Sequence, residues 1–342
     1  MKKILVARLD FLGDMVCTTP LLRALKQKWP QAEIHVLANR YNRQVLDRNP
    51  DVSRVHTYVF SRQRSQNERS GRFASIVDRL ALIHRLRRQR FDLAIVPNGA
   101  QHTSTIKFIR LLGIRDCRWH TKETGFDDRR PGDLAKVRLQ HEALSGFALL
   151  PELGPVAASE LRPVVYPDPA QVEAMRARLP AGQKPKAGMF VSNKAQERRW
   201  PLQRWQELAD RLQPHYDVTL FRDRADPHSA EPAASAHCWL APAGVDELIG
   251  AMRHLDLVIS ADSAPVHLAS ALRIPTVAMF EARPEKYQRW HPLGVPHAIV
   301  HAGPAIDTIG VEQMHAAVRS LLDAGAAAGN PLPAGAPAAA LA

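Results

Sequence analysis

Cysteine is scarce in this chain of 342 residues: Cys17, Cys117 and Cys238 stand far apart, with no Cys-x-x-Cys pair. That spacing excludes a disulfide framework and a thiolate zinc site, and it fits a reducing compartment. No apolar run is long enough to span a bilayer. The opening MKKILVARLD meets Arg8 and Asp10 too early for the apolar core of a secretory signal, so a cytoplasmic protein is expected. Aromatic residues amount to only 6%. No stacking platform or nucleic-acid module accompanies the basic charge, so nucleic acid is not an expected partner. The chain also lacks an Asp-x-Asp triad to hold Mg²⁺ against a diphosphate, and its His and carboxylates show no ligand spacing. No metal and no cofactor are expected.

Acidic residues are in deficit. Lys and Arg number 46 against 34 Asp and Glu, a formal charge of +12. Much of the excess sits in Arg62, Arg64, Arg69, Arg72, Arg79, Arg85, Arg87, Arg88 and Arg90. Such a run reads either as a solvated helix face or as a surface for anionic lipid.

Hydrophobic residues make up 45% of the chain, enough for two cores. Strands at 4–7, 34–37, 55–60 and 93–96 alternate with helices at 14–28, 41–48 and 104–112. A second alternating set has strands at 188–191, 218–221 and 238–240, with helices at 202–213, 245–253 and 309–322. Alternation of this kind predicts parallel sheets covered by helices on both faces. Prolines and glycines between 151 and 185 place the connection there. Domains are therefore expected at 1–168 and 169–323, followed at 324–342 by an Ala/Pro/Gly-rich tail expected to be disordered.

Two segments carry chemistry. Residues 256–280, DLVISADSAPVHLASALRIPTVAMF, read as strand, tight turn, helix and strand. The turn aims a helix N-terminus beyond the sheet, where anions bind. Ser263 and His267 suit a phosphate there, and Asp262 suits sugar hydroxyls. Helix capping by Asp262 and helix packing by His267 are the plainer readings. Residues 4–30 read as a buried strand, a turn at Gly13, and an amphipathic helix starting at Asp14. On that segment alone, Asp14 reads first as a helix cap.

Together these segments resemble glycosyltransferase family 9, the heptosyltransferase-like enzymes of lipopolysaccharide core assembly. Gly13-Asp14 matches the family's opening motif. Asp262-Ser263-Ala264-Pro265-Val266-His267-Leu268-Ala269, with Pro275 opening a strand, matches its C-terminal signature, and Arg198-Arg199-Trp200-Pro201 matches its basic Trp-Pro motif. Two positions depart from the pattern. Ala264 replaces a glycine where backbone approaches a diphosphate, and Glu281 stands where the family usually has glycine after Phe280.

The resemblance implies a GT-B architecture, two doubly wound Rossmann-like domains facing across a cleft. It implies an inverting transfer of heptose from a nucleotide-heptose, with ADP as the favoured nucleotide, to a lipopolysaccharide core or other glycolipid. It assigns the general base to Asp14 and donor phosphate contact to Arg198. In the strand-end loops where such sheets bind ligands, Ser192, Asn193, Lys194, Ser263, Ala264 and His267 are candidate phosphate contacts, and Asp262 a sugar contact. Asp223 and Asp226 are candidate ribose contacts, and Asn98, Gln101 and His102 candidate acceptor contacts. Trp200 is expected to pack rather than stack on a base. The acceptor and the arginines together suggest peripheral contact with the inner face of the bacterial inner membrane. Transfer of another sugar to a different surface glycan, a sugar-nucleotide epimerase and a non-enzymatic binding protein are the alternatives.

Overall fold

The computed structural model describes residues 1–342 apart from 62–64, 66, 70, 131, 230, 232–235 and 328–342. The chain divides into two compact units, Met1–Tyr166 and Pro167–Ala342. Arg62 and Arg64 lie outside the described residues, as does most of the expected tail.

The first unit runs β1 (Lys3–Arg8), α1 (Leu12–Lys28), β2 (Glu33–Ala38), β3 (Arg54–Thr57), α2 (Arg72–Arg88), β4 (Leu93–Val96), α3 (Thr103–Arg110), β5 (Asp116–Trp119) and α4 (Asp133–Lys136). Its five strands pair in parallel in the order β3-β2-β1-β4-β5. Strands β1 and β4 are central and buried on both faces, which is why they read as unbroken apolar runs. Strand order reverses at β1, so the loops after β1 and β4 leave the sheet on either side of its switch point.

The second unit runs α5 (Pro169–Arg176), β6 (Lys186–Phe190), α6 (Leu202–Leu212), β7 (Asp217–Phe221), β8 (Cys238–Leu240) and α7 (Val245–Met252). It continues with β9 (Leu257–Ala261), α8 (Ala264–Leu272), β10 (Thr276–Glu281), α9 (Pro284–Trp290), β11 (His297–Ala302) and α10 (Val311–Ala327). Its six strands are parallel in the order β11-β10-β9-β6-β7-β8, with β6 and β9 at the switch point. Trp200 is buried in this unit's core, edge-on to Trp205, and its indole N–H donates to the Ile309 carbonyl at 2.8 Å.

Several expectations need correcting. The helix expected at 41–48 is a short 3-10 turn, Asn42–Leu46. Strand β3 stops at Thr57 rather than 60. Helix α10 runs to Ala327, so residues 324–327 belong to it and not to a tail. Helix α1 begins at Leu12, so Asp14 is its third residue and not its N-cap, which is Phe11. Strands β5 and β11 lie at sheet edges and are only partly buried, so their sequences carry weak periodicity.

Candidate active site

In the first unit, Arg8 ends β1 with its side chain 2% exposed. Three carboxylates surround it. Arg8 Nη2 lies 2.5 Å from Asp14 Oδ1 and 3.0 Å from Glu142 Oε1, and Arg8 Nε lies 3.3 Å from Asp10 Oδ1. A buried charge is tolerable only when paired in this way. The β1–α1 loop is fixed from beneath by two amides. Asn39 Nδ2 donates to the carbonyls of Leu9 and Asp10, and Asn42 Nδ2 to that of Arg8. Asp14 Oδ2 reaches back to accept from the Phe11 N–H at 3.2 Å, so it does stabilise the helix start, from inside the first turn.

Burial pushes the Asp14 carboxyl up to about 7; Arg8 opposes the shift, while Asp10 and Glu142 add to it. Asp10 is raised as well, first by burial. Burial works to lower the Arg8 pKa, but the carboxylates outweigh it and the guanidinium stays charged. Asp14 is thus a buried carboxylate able to gain or lose a proton near neutrality, which is what general-base chemistry requires.

Asn98, in the β4–α3 loop, donates to Asp10 Oδ2. Its Oδ1 is buried without a hydrogen bond among the described residues. His102 caps the start of α3, with Nδ1 2.6 Å from Thr105 Oγ1. Burial lowers its pKa, and the nearby charges of Arg8 and Asp14 act on it in opposite directions. Gln101 is half-buried in the same loop. Glu142 was absent from the sequence reading. It lies 134 positions from Arg8 and accepts from the Gly99 N–H at 2.9 Å, so it holds both loops. No local signal could have found it.

In the second unit, Arg198 Nη1 meets Asp262 Oδ2 at 3.0 Å and Nε meets Glu281 Oε1 at 3.1 Å. Glu281, 4% exposed at the end of β10, also meets Arg283 Nη1 at 3.5 Å, while Arg283 Nε meets Glu285 Oε1 at 2.7 Å. The expected phosphate-binding arginine is therefore already held by two carboxylates. Asn193 Nδ2 donates to the Asp262 carbonyl, drawing the β6 and β9 loops together. Ser192 Oγ bonds Ser229 Oγ and accepts from the Asp223 N–H. Asp226 lies 4.0 Å from Arg199. Lys194 is exposed in this same loop.

The cap of α8 is Ser263 rather than Asp262. Its hydroxyl lies 3.0 Å from that of Ser260. Pro265 has no N–H, and that of Val266 bonds the Ser263 carbonyl, so this helix start offers fewer donors to an anion than an ordinary one. Ala264 and Ser263 are half-buried at its tip. His267 is buried edge-on against Trp290, with ring centroids 5.8 Å apart. Burial, helped by His291, lowers its pKa to about 4, so it is a neutral imidazole and not a cation.

Two parallel-sheet Rossmann-like domains define the GT-B class of glycosyltransferase fold. The glycosyltransferase family 9 (heptosyltransferase) profile matches residues 79–307, and the chain belongs to this family. Over 297 residues it is 25% identical to lipopolysaccharide heptosyltransferase 3 of Escherichia coli, covering 82% of this chain and 84% of that one. The solved family 9 glycosyltransferase of Veillonella parvula superposes with a TM-score of 0.73 at 18% identity, over 94% of this chain and 97% of that one. An E. coli structure described as ADP-heptose lipopolysaccharide heptosyltransferase II gives 0.70 at 21% identity, over 95% and 100%.

Proposed function

We propose that this enzyme transfers a heptose, with inversion and without a metal ion, from ADP-heptose to a lipopolysaccharide core acceptor. The observation that carries the reading is Asp14, a buried carboxylate with its pKa raised to about 7. In the proposed step its Oδ takes the proton of the acceptor hydroxyl as that oxygen attacks the anomeric carbon. The bond from that carbon to the diphosphate breaks, and the electron pair leaves with the diphosphate. One displacement with one base inverts the anomeric centre. Asn98, Gln101 and His102 are the proposed acceptor contacts.

On the donor side, Asp262 is proposed to hold sugar hydroxyls and Arg198 the diphosphate, assisted by Ser192, Asn193, Lys194, Ser263, the Ala264 backbone and neutral His267 as a donor. Asp223 and Asp226 are proposed for the ribose. The names of the E. coli relatives support the choice of donor and acceptor. A lipopolysaccharide acceptor in turn favours a cytoplasmic enzyme working at the inner leaflet. Glu281 favours a second reading, transfer of a different sugar, because its carboxylate takes part of Arg198 from the donor.

The test is incubation with a panel of nucleotide sugars and core oligosaccharides, with the product's anomeric configuration read by NMR. Inverted heptosyl product from ADP-heptose alone is expected. Product from another nucleotide sugar but none from ADP-heptose would establish the second reading, and a retained configuration would overturn the single displacement.

A further inference from the structure

Helix α2 is apolar on two sides. Inward, Leu82 and Leu86 are buried in the first unit's core with Phe108. Outward, Phe73 is 81% exposed, Ile76 51%, Val77 43% and Leu80 62%. At 100° per residue, positions 73, 76, 77 and 80 form one stripe that His84, Arg87 and Arg88 continue toward the helix end. Arg72 and Arg85 flank the stripe, and all four arginines are exposed. Leu111, 45% exposed, lies beside the helix end, its carbonyl accepting from Arg87 Nε at 2.9 Å. The one acidic residue of the helix, Asp78, is paired with Arg69. Four of the nine large apolar side chains exposed among the described residues therefore fall on this helix, inside a rim of arginine. Isolated exposed leucines need no explanation, but a contiguous stripe does.

We propose that this outer face of α2 is a membrane-docking surface, the stripe entering the headgroup boundary of an anionic bilayer while the arginines meet lipid phosphates. The charge pattern chooses this occupant. A second copy seated on the same face would set arginine against arginine across a two-fold axis. An anionic lipid surface complements the rim and also takes the apolar side chains, the arrangement of interfacial helices. The docking rests on no assumption about which sugar is moved.

The experiment is sedimentation of the full chain with phosphatidylglycerol/phosphatidylethanolamine vesicles and with phosphatidylcholine vesicles, at low and physiological salt. Binding to the anionic vesicles, weakened by salt, is expected. Phe73→Ser with Leu80→Ser should reduce partitioning about tenfold or more while keeping the salt dependence. Arg72→Gln, Arg85→Gln and Arg88→Gln together should reduce it about a hundredfold, at about fivefold per charge, and flatten the salt dependence. All five side chains are exposed, so unchanged circular dichroism and melting should show that the variants fold. No binding at low salt, or undiminished binding by the serine variant, would overturn the proposal. So would a concentration-dependent dimer, or capture of an acidic protein partner, that the serine variant abolishes while vesicle binding persists. Vesicle binding requires no sugar transfer, so its failure would leave the proposed activity standing.

Discussion

Asp14 and Arg8 show how one residue's surroundings set its chemistry. A carboxylate at the start of a helix is ordinarily a cap with a low pKa, because N–H groups favour its charge. Here burial beside two further carboxylates works the other way. Asp14→Asn keeps the acceptor for the Phe11 N–H, so folding should survive, while kcat should fall by about 10²–10⁴ because an amide takes no proton. Near-normal kcat would remove Asp14 as the base. Since the charged form is the active one, wild-type kcat should rise with pH and level off above about 7. Glu142→Gln removes a charge that raises the Asp14 pKa, so the rising limb should move to lower pH with the plateau retained; an unmoved limb would separate Glu142 from the base. In the second unit, Arg198→Ala should weaken ADP binding by about tenfold or more. Glu281→Gln should strengthen it, because phosphate would no longer compete with that carboxylate for Arg198. Calorimetric titration with ADP distinguishes the two, and equal affinities in all three proteins would sink the assignment of Arg198.

At the scale of the element, α1 carries Pro20 in its interior without breaking. Proline has no N–H for the Val16 carbonyl four residues back. The Thr19 hydroxyl donates to that carbonyl instead, at 2.7 Å, and accepts from the Val164 N–H at 2.9 Å. One side chain therefore replaces the lost helix bond and ties α1 to the segment just before the second unit. Thr19→Val keeps the shape and removes both bonds, leaving a buried N–H and C=O unsatisfied. A loss of about 2 kcal/mol in urea denaturation is expected. Stability within a few tenths of wild type would mean that these bonds are replaced elsewhere. The start of α8 shows the opposite: Pro265 and the internally bonded Val266 reduce its donors, so in the proposed reaction more of the diphosphate's charge would fall to side chains.

For the whole molecule, no group of His, Cys, Asp or Glu suited to a metal ion occurs among the described residues. No described helix is long and apolar enough to cross a membrane. The proposed chemistry relies on guanidinium groups and a helix terminus to neutralise the leaving diphosphate. Turnover should therefore persist in excess EDTA. Turnover lost in EDTA and restored by Mg²⁺ or Mn²⁺ would overturn the metal-free mechanism.

The family, the two parallel-sheet domains and the motif positions were legible in the sequence because they are local. Buried parallel strands read as apolar runs, and a turn between strand and helix is written in five or six consecutive residues. Even there, the start of α1 was misjudged by two residues, since Leu12 and Gly13 give no helix signal that outweighs Asp14's preference for a cap. The tertiary structure alone decided what those motif residues touch. Arg8 meets Glu142 from 134 positions away, and Arg198 meets Glu281 from 83. The charge state of Asp14 and the neutrality of His267 follow from burial that no window of sequence contains. The arginines of α2 mark a candidate lipid-facing surface in the sequence, but the apolar stripe between them does not show there, for the same reason. Phe73, Ile76, Val77 and Leu80 look like core in a one-dimensional pattern, and only the packing of Leu82 and Leu86 on the opposite side shows that they are not.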